Sequence, residues 1–258
     1  MRRNALLLLA VGCLVVLAGC SGALPGGADE PTTADAAAEM NYPDAVSENG
    51  TNVSALAAGH AEALNGTGFS LSLATAQNGS SGEQSAELDA AVGPDRERVR
   101  ANVSGAGQRT EIYATAEKRY QRLSAGNETA YRVTNRTSQA SQVVPSSLSG
   151  AVYLEQYAAA TNANLTPDGV REIDGTTVVV LRADGANVSV PGGTNVTAYD
   201  ATALVDERGI VHSFEVSVDT AQADSAATLS VSMNVSDVGE TTVAEPSWLD
   251  EAKNSSTA

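Results

Sequence analysis

Histidine, cysteine, serine and paired carboxylates are the side chains with which proteins most often do chemistry, and this chain holds only two histidines and two cysteines. Neither His60 nor His212 belongs to an H-x-x-H or H-E-x-x-H pair, so a zinc enzyme is not expected. His60 lies on the apolar stripe of a segment with helical period, where a hydrogen-bonded core histidine is the better reading than a catalytic base. His212 stands beside Ser213 and near Asp206, but adjacent strand residues face opposite ways, which argues against a Ser-His-Asp triad. Which way His212 itself faces stays open, because Val211 and Phe214 both read as core residues. No G-x-S-x-G elbow, P-loop or G-x-G-x-x-G fingerprint occurs. The Asp-Gly pairs at Asp168, Asp174 and Asp184 lack the spacing of a calcium loop and read as turns. Neighbouring acids such as Asp206 and Glu207 are expected by composition alone among 31 acidic residues. No catalytic, metal or cofactor residue is therefore assigned. Tyr113, Tyr120 and Tyr131, on successive expected strands, either line a pocket for an apolar or glycan ligand or fill a core short of aromatics.

Cys20 has a different chemistry. Met1-Arg2-Arg3-Asn4 precedes an apolar run from Ala5 to Ala18, and Gly19-Cys20 follows. About fourteen apolar residues are too few to span a bilayer, which needs about 20, so residues 1–19 read as a cleaved signal peptide. The ending Leu17-Ala18-Gly19-Cys20 resembles a lipobox, which implies a lipid on the Cys20 thiol after cleavage. Arg2-Arg3 resembles a twin-arginine export signal, set unusually close to Met1. Cys13 leaves with the signal, so no disulfide or metal cluster remains for the fold to use.

The 31 acidic residues face 15 basic ones, and loss of Arg2 and Arg3 leaves 31 against 13, a net charge of −18. Such a surface repels phosphate backbones, so nucleic acid is not an expected partner. Lys118 and Lys253 are the only lysines. High acid, scarce lysine, abundant small residues and few aromatics resemble proteins of extremely halophilic archaea. Molar salt shortens the Debye length to about 3 Å and removes most of the self-repulsion.

Twelve of the 15 asparagines open N-x-S/T sequons: Asn49, Asn52, Asn65, Asn78, Asn102, Asn127, Asn135, Asn164, Asn187, Asn195, Asn234 and Asn254. With 47 Ser and Thr in 258 residues, chance supplies about three. The excess points to N-glycosylation outside the cell.

The elements that must position these groups follow from periodicity. Ser21 to Glu39 carries a single large aliphatic, Leu24, and reads as a flexible tether spanning roughly 25 Å, so residues 20–44 form a lipidated tether. Residues 45–249 read as one extracytoplasmic domain and 250–258 as a polar tail. Val53, Leu56, Ala57, His60, Ala61 and Leu64 share one helical face, with Asn52 as cap and Asn65-Gly66 as stop. Period-two alternation then predicts strands around Phe69–Leu73, Leu88–Val92, Val99–Val103, Thr110–Thr115, Arg119–Ser124 and Ala130–Asn135. A second helix fits Ser147 to Ala160 through Leu148/Val152 and Tyr153/Tyr157. Strands resume at Thr176–Arg182, Ala198–Asp206, Ile210–Asp219 and Ala227–Val235, with a hairpin at Asp206-Glu207-Arg208-Gly209. The expected fold is α+β: a strongly curved antiparallel sheet, a half-barrel-like meander, packed against one or two helices.

The lipobox, the Tyr42-Pro43 start, the Leu56 to His60 helix face and the Val205-Asp206-x-x-Gly209 hairpin resemble haloarchaeal surface lipoproteins of unknown function. At fold level the order of elements also resembles the lipoprotein carriers (LolA/LppX-like), in which a curved sheet wraps helices. The resemblance implies a non-enzymatic lipoprotein anchored in the cell membrane and facing outward, which binds a lipid or other hydrophobic ligand. Its pocket would be lined by Leu71, Leu73, Tyr113, Tyr120, Tyr131, Val180, Phe214, Val216 and Val231. The alternative is a structural or adhesive envelope component without a pocket. In either case the membrane and surface-layer or envelope proteins are the expected partners.

Overall fold

The computed structural model describes residues 41–80, 82–136, 146–159, 164–185, 195–222 and 225–255. Cys20, Asn187, the signal and the tether as far as residue 40 lie outside the described residues. The chain enters through a two-residue hairpin, β1 (Val46–Ser47) and β2 (Gly50–Thr51), and continues into α1 (Val53–Ala63). Asn52 caps α1 as the sequence predicts: its side-chain oxygen accepts from the Ala55 N–H at 3.1 Å. Six strands follow in a meander: β3 (Phe69–Gly79), β4 (Gly82–Val92), β5 (Val99–Gly105), β6 (Gln108–Ala114), β7 (Lys118–Ala125) and β8 (Glu128–Asn135).

The second helix is broken. α2 (Ser146–Ser149) and α3 (Ala151–Leu154) are separated by Gly150 at φ 86°, and a π-helical turn, Glu155–Ala159, continues α3. The remaining strands return as β9 (Thr166–Ile173), β10 (Thr176–Gly185), β11 (Asn195–Asp206), β12 (Val211–Gln222) and β13 (Ser225–Ser236). The expected polar tail from residue 250 gives way to α4 (Leu249–Ser255), because Leu249 and Ala252 are buried together with Trp248.

One curved antiparallel sheet of eleven strands results, in the order β8-β7-β6-β5-β4-β3-β13-β12-β11-β10-β9. Each half of the chain supplies one wing, and β3 with β13 joins them. The register aligns a continuous row across ten strands: Leu181, Ala203, Phe214, Met233, Leu73, Leu88, Val103, Thr110, Leu123 and Ala130. This row marks the inner face. Val53, Leu56, Leu148, Ala151 and Leu154 from the helices pack into the same core as its first five members. The other face, the outer one, carries α4.

Candidate ligand-binding surface

Strand parity separates the nine residues expected to line one pocket. Leu71, Leu73, Phe214, Val216 and Val231 do meet on the inner face, each no more than 5% exposed, inside the main core. Gly150 lies against them so closely that a Cβ there would overlap the Met233 sulfur. Val180 alternates with Val179 and Leu181 and so lies on the outer face with Val178 and Leu204. Tyr113 and Tyr120 are cross-strand partners, and Tyr113 also pairs with Arg100, whereas inward Ala101 pairs with Ile112. These tyrosines are therefore on the outer face with Tyr131, where Trp248, Leu249 and Ala252 cover them. The expectation that the tyrosines and Val180 line the pocket of Leu71 and Phe214 is corrected by this parity. Trp248 donates its indole N–H to Glu111 Oε1 at 3.2 Å, and Tyr131 donates its hydroxyl to Glu251 at 2.9 Å, which fixes α4 in place.

The inner face changes character from one wing to the other. Burial is complete at Leu181, Ala203, Phe214 and Met233, but Leu88, Val103 and Leu123 are half-buried and Ala130 is exposed. The neighbouring row runs Leu71, Ala90, Ala101, Ile112, Gln121, Arg132, and the next runs Phe69, Val92, Val99, Ala114, Arg119, Thr134. Leu88, Val103, Ile112 and Leu123 thus form a half-covered apolar stretch on β4 to β7. Its far corner is cationic. Arg119 and Arg132 stand diagonally across β7 and β8, and neither side chain makes a hydrogen bond or ion pair among the described residues. Arg136, beside them, donates to the carbonyls of Glu97 and Thr115. Burial, followed by repulsion from Arg132 and Arg136, lowers the Arg119 guanidinium from its ordinary value.

The histidines are structural. His60 is fully buried; its Nδ1 accepts the Val211 N–H at 3.1 Å, so Nε2 carries the proton and donates to the Ser149 carbonyl at 2.6 Å. One ring therefore ties α1 to α2 and to β12. Burial pushes its pKa down to about 4, against the raising effect of the Ser149 bond. His212 is the extra residue of a β-bulge opposite Leu204 and Val205. The bulge lets Val211 and Phe214 both face inward, which the sequence alone leaves open. His212 donates to Asp206 Oδ2 at 3.2 Å, and Arg208 donates to the same oxygen at 2.7 Å. Burial pushes the Asp206 carboxyl up, but donation from His212, from the Ile210 N–H and from Arg208 outweighs it and holds the pKa at about 2. Asp206 thereby organises the expected hairpin, with Gly209 at φ 83°. Ser213 makes no hydrogen bond with His212 among the described residues, so these three groups form no triad.

A cleft of about 400 Å³ opens between Tyr42-Pro43, the outer turn of α1 and the Glu207-Arg208-Gly209 loop. It contains none of the nine residues expected to line a pocket. Among the described residues no group of three His, Cys, Asp or Glu could hold a metal ion, and no helix is long and apolar enough to cross a membrane.

The sequons sort by face. Asn49, Asn52, Asn65, Asn127, Asn135, Asn164, Asn195, Asn234 and Asn254 are exposed, while Asn78 and Asn102 are half-buried. Five of them belong to the large sheet. Asn78, Asn102, Asn135, Asn195 and Asn234 pair across strands with Thr228, Asp89, Lys118, Ala221 and Ser72, and all of these are outer-face positions.

These features define an α+β protein built on one large antiparallel sheet, with helices packed on its inner face. The chain belongs to the family of unknown function DUF7537, whose model matches residues 5–252. No curated protein matches it. Among solved structures it is similar to LprF from Mycobacterium bovis, at 14% identity and a TM-score of 0.36, over 77% of this chain and 99% of that one. It is also similar to a LolA superfamily protein from Nitrosomonas europaea, at 10% identity and a TM-score of 0.25, over 75% and 94% of the two chains. A third likeness is to the Pseudomonas aeruginosa MucA/MucB complex, at 14% identity and a TM-score of 0.24, over 75% and 95%. These likenesses carry no assignment of function.

Proposed function

We propose that this protein is a non-enzymatic, lipid-anchored, N-glycosylated protein of the cell exterior, held in the membrane through Cys20. Its ligand is apolar and lies on the inner-face stretch of Leu88, Val103, Ile112 and Leu123. The observation that carries this reading is the division of the two faces. All five sequons of the large sheet fall on the outer face, while apolar side chains continue on the inner face past the helices. Glycans are bulky and solubilising, so they leave the inner face as the one open to a ligand. A half-covered apolar stretch is the kind of surface that marks a ligand or partner site. The acidic, lysine-poor composition supports a halophilic setting, and Arg2-Arg3 supports twin-arginine export. Surface-layer or envelope proteins are the partners that a glycosylated outer face would meet.

The test is native mass spectrometry with lipid extraction on protein purified in high salt from a halophilic host. A stoichiometric apolar molecule is expected; an empty protein that takes up none on challenge would refute the ligand. The second reading, a structural envelope component, would then stand, supported by the close packing of Leu71, Phe214 and Met233 beneath Gly150. The anchor is tested apart from the ligand. Cys20→Ser should release the protein from the membrane fraction, and retention would refute lipidation.

A further inference from the structure

We propose that Arg119 and Arg132 bind the phosphate head of an amphiphile whose apolar part lies on Ile112, Leu123, Val103 and Leu88. The inference rests on the apolar-ligand reading and names the polar end of that ligand. Arg122, on the outer face of the same strand, is paired with Glu111; Arg182 is paired with Asp168 and Arg208 with Asp206. Arg119, which is half-buried, and Arg132, which is exposed, have no such partner among the described residues. The charged groups acting on Arg119 are Arg132 and Arg136, both repulsive, and its Nε is buried without a hydrogen-bond partner. Holding the half-buried Arg119 beside two further cations is unfavourable, and an anion received between Arg119 and Arg132 would relieve it. Arg136 is committed to the Glu97 and Thr115 carbonyls and contributes its field.

The geometry favours phosphate. Arg119 pairs with Thr134, and Arg132 pairs with Gln121, which sets the two arginines diagonally at about 7 Å between their β-carbons. One guanidinium fork satisfies both oxygens of a carboxylate, whereas a phosphate has oxygens enough for two forks. The apolar stretch begins beside the pair, since Gln121, the partner of Arg132, also pairs with Ile112. From β7 to β4 it runs for three strand spacings, about 14 Å, the length of much of an acyl chain.

The test uses the full-length protein in molar potassium chloride, with Nile red as a neutral reporter displaced by hexadecyl phosphate or by hexadecan-1-ol. Hexadecyl phosphate should bind about ten- to a hundredfold more tightly than the alcohol. In R119Q/R132Q that preference should fall to within about twofold, with affinity for the alcohol kept; each single variant should lose part of it, and R182Q none. Circular dichroism confirms that the variants fold. Equal binding of the two probes by the wild type, or a preference that survives in the folded double variant, overturns the phosphate site while leaving the apolar ligand intact. Failure of both probes to displace the dye overturns the apolar ligand itself.

Discussion

Acid should loosen the attachment of the helices to the sheet through one side chain. His60 has a pKa of about 4 in the folded protein against 6.5 when solvated. Between those values the unfolded chain binds a proton that the folded one does not, so stability falls as the pH drops from 6.5 towards 4. Below about 4 both states are protonated and this contribution levels off. A difference of about 2.5 units corresponds to about 3 kcal/mol. Its physical origin is burial, which penalises the charged ring; a proton on Nδ1 would also remove the acceptor of the buried Val211 N–H. Urea denaturation across this pH range measures it, with His60→Leu as the reference. That variant should lose about 2–6 kcal/mol at neutral pH, because the Val211 N–H and the Ser149 carbonyl are each left unpaired. Its stability should then depend less steeply on pH between 6.5 and 4. The carboxylates titrate in both proteins and cancel in the comparison. Asp206, whose pKa is about 2 instead of 3.8, acts lower: its contribution is present above 3.8 and lost as the pH falls through 2. Identical pH slopes for wild type and variant between 6.5 and 4 would refute the buried neutral histidine.

Trp248→Ala should destabilise the fold by about 3–5 kcal/mol, since the indole is 3% exposed and holds α4 to the tyrosines, and a shift in urea midpoint measures it. Gly150→Ala should cost about 2–3 kcal/mol from its positive φ and its overlap with Met233; a thermal midpoint equal to wild type would contradict the packing. Raising salt from low to multimolar should raise the melting temperature, because a chain of formal net charge −16 repels itself in dilute buffer. A flat response across that range would remove the charge argument.

Local chemistry made part of this molecule legible. The Asn52 cap, the period of α1, the alternation along ten strands and the Asp206–Gly209 hairpin all leave marks within a dozen residues. β9 left no such mark, because it is an edge strand carrying Pro167, Gly169 and several charged side chains. The break at Gly150 was hidden by side-chain pairs that fit a continuous helix. α4 looks polar because only Leu249 and Ala252, with Trp248 just before it, turn towards the sheet, onto tyrosines more than a hundred residues earlier in the chain. Pocket lining was the least legible property. It depends on which residues share a face and a register across eleven strands, and a bulge such as that at His212 resets the parity. For the same reason Arg119 and Arg132 attract no notice until β7 and β8 are aligned.

The join between the wings has a consequence for how the chain reaches its folded state. Each wing is a succession of hairpins, whose partners close short loops and can pair early. The central pair is different. Leu73 and Met233 are cross-strand partners far apart in the chain, so their pairing must close a loop of residues 74–232. Folding is therefore expected to end at the middle of the sheet, where the two wings meet. Until then, the edges of β3 and β13 stand unpaired, and a half from another copy offers the same hydrogen bonds. Concentrated refolding should accordingly yield exchanged dimers, while dilute refolding should yield single chains.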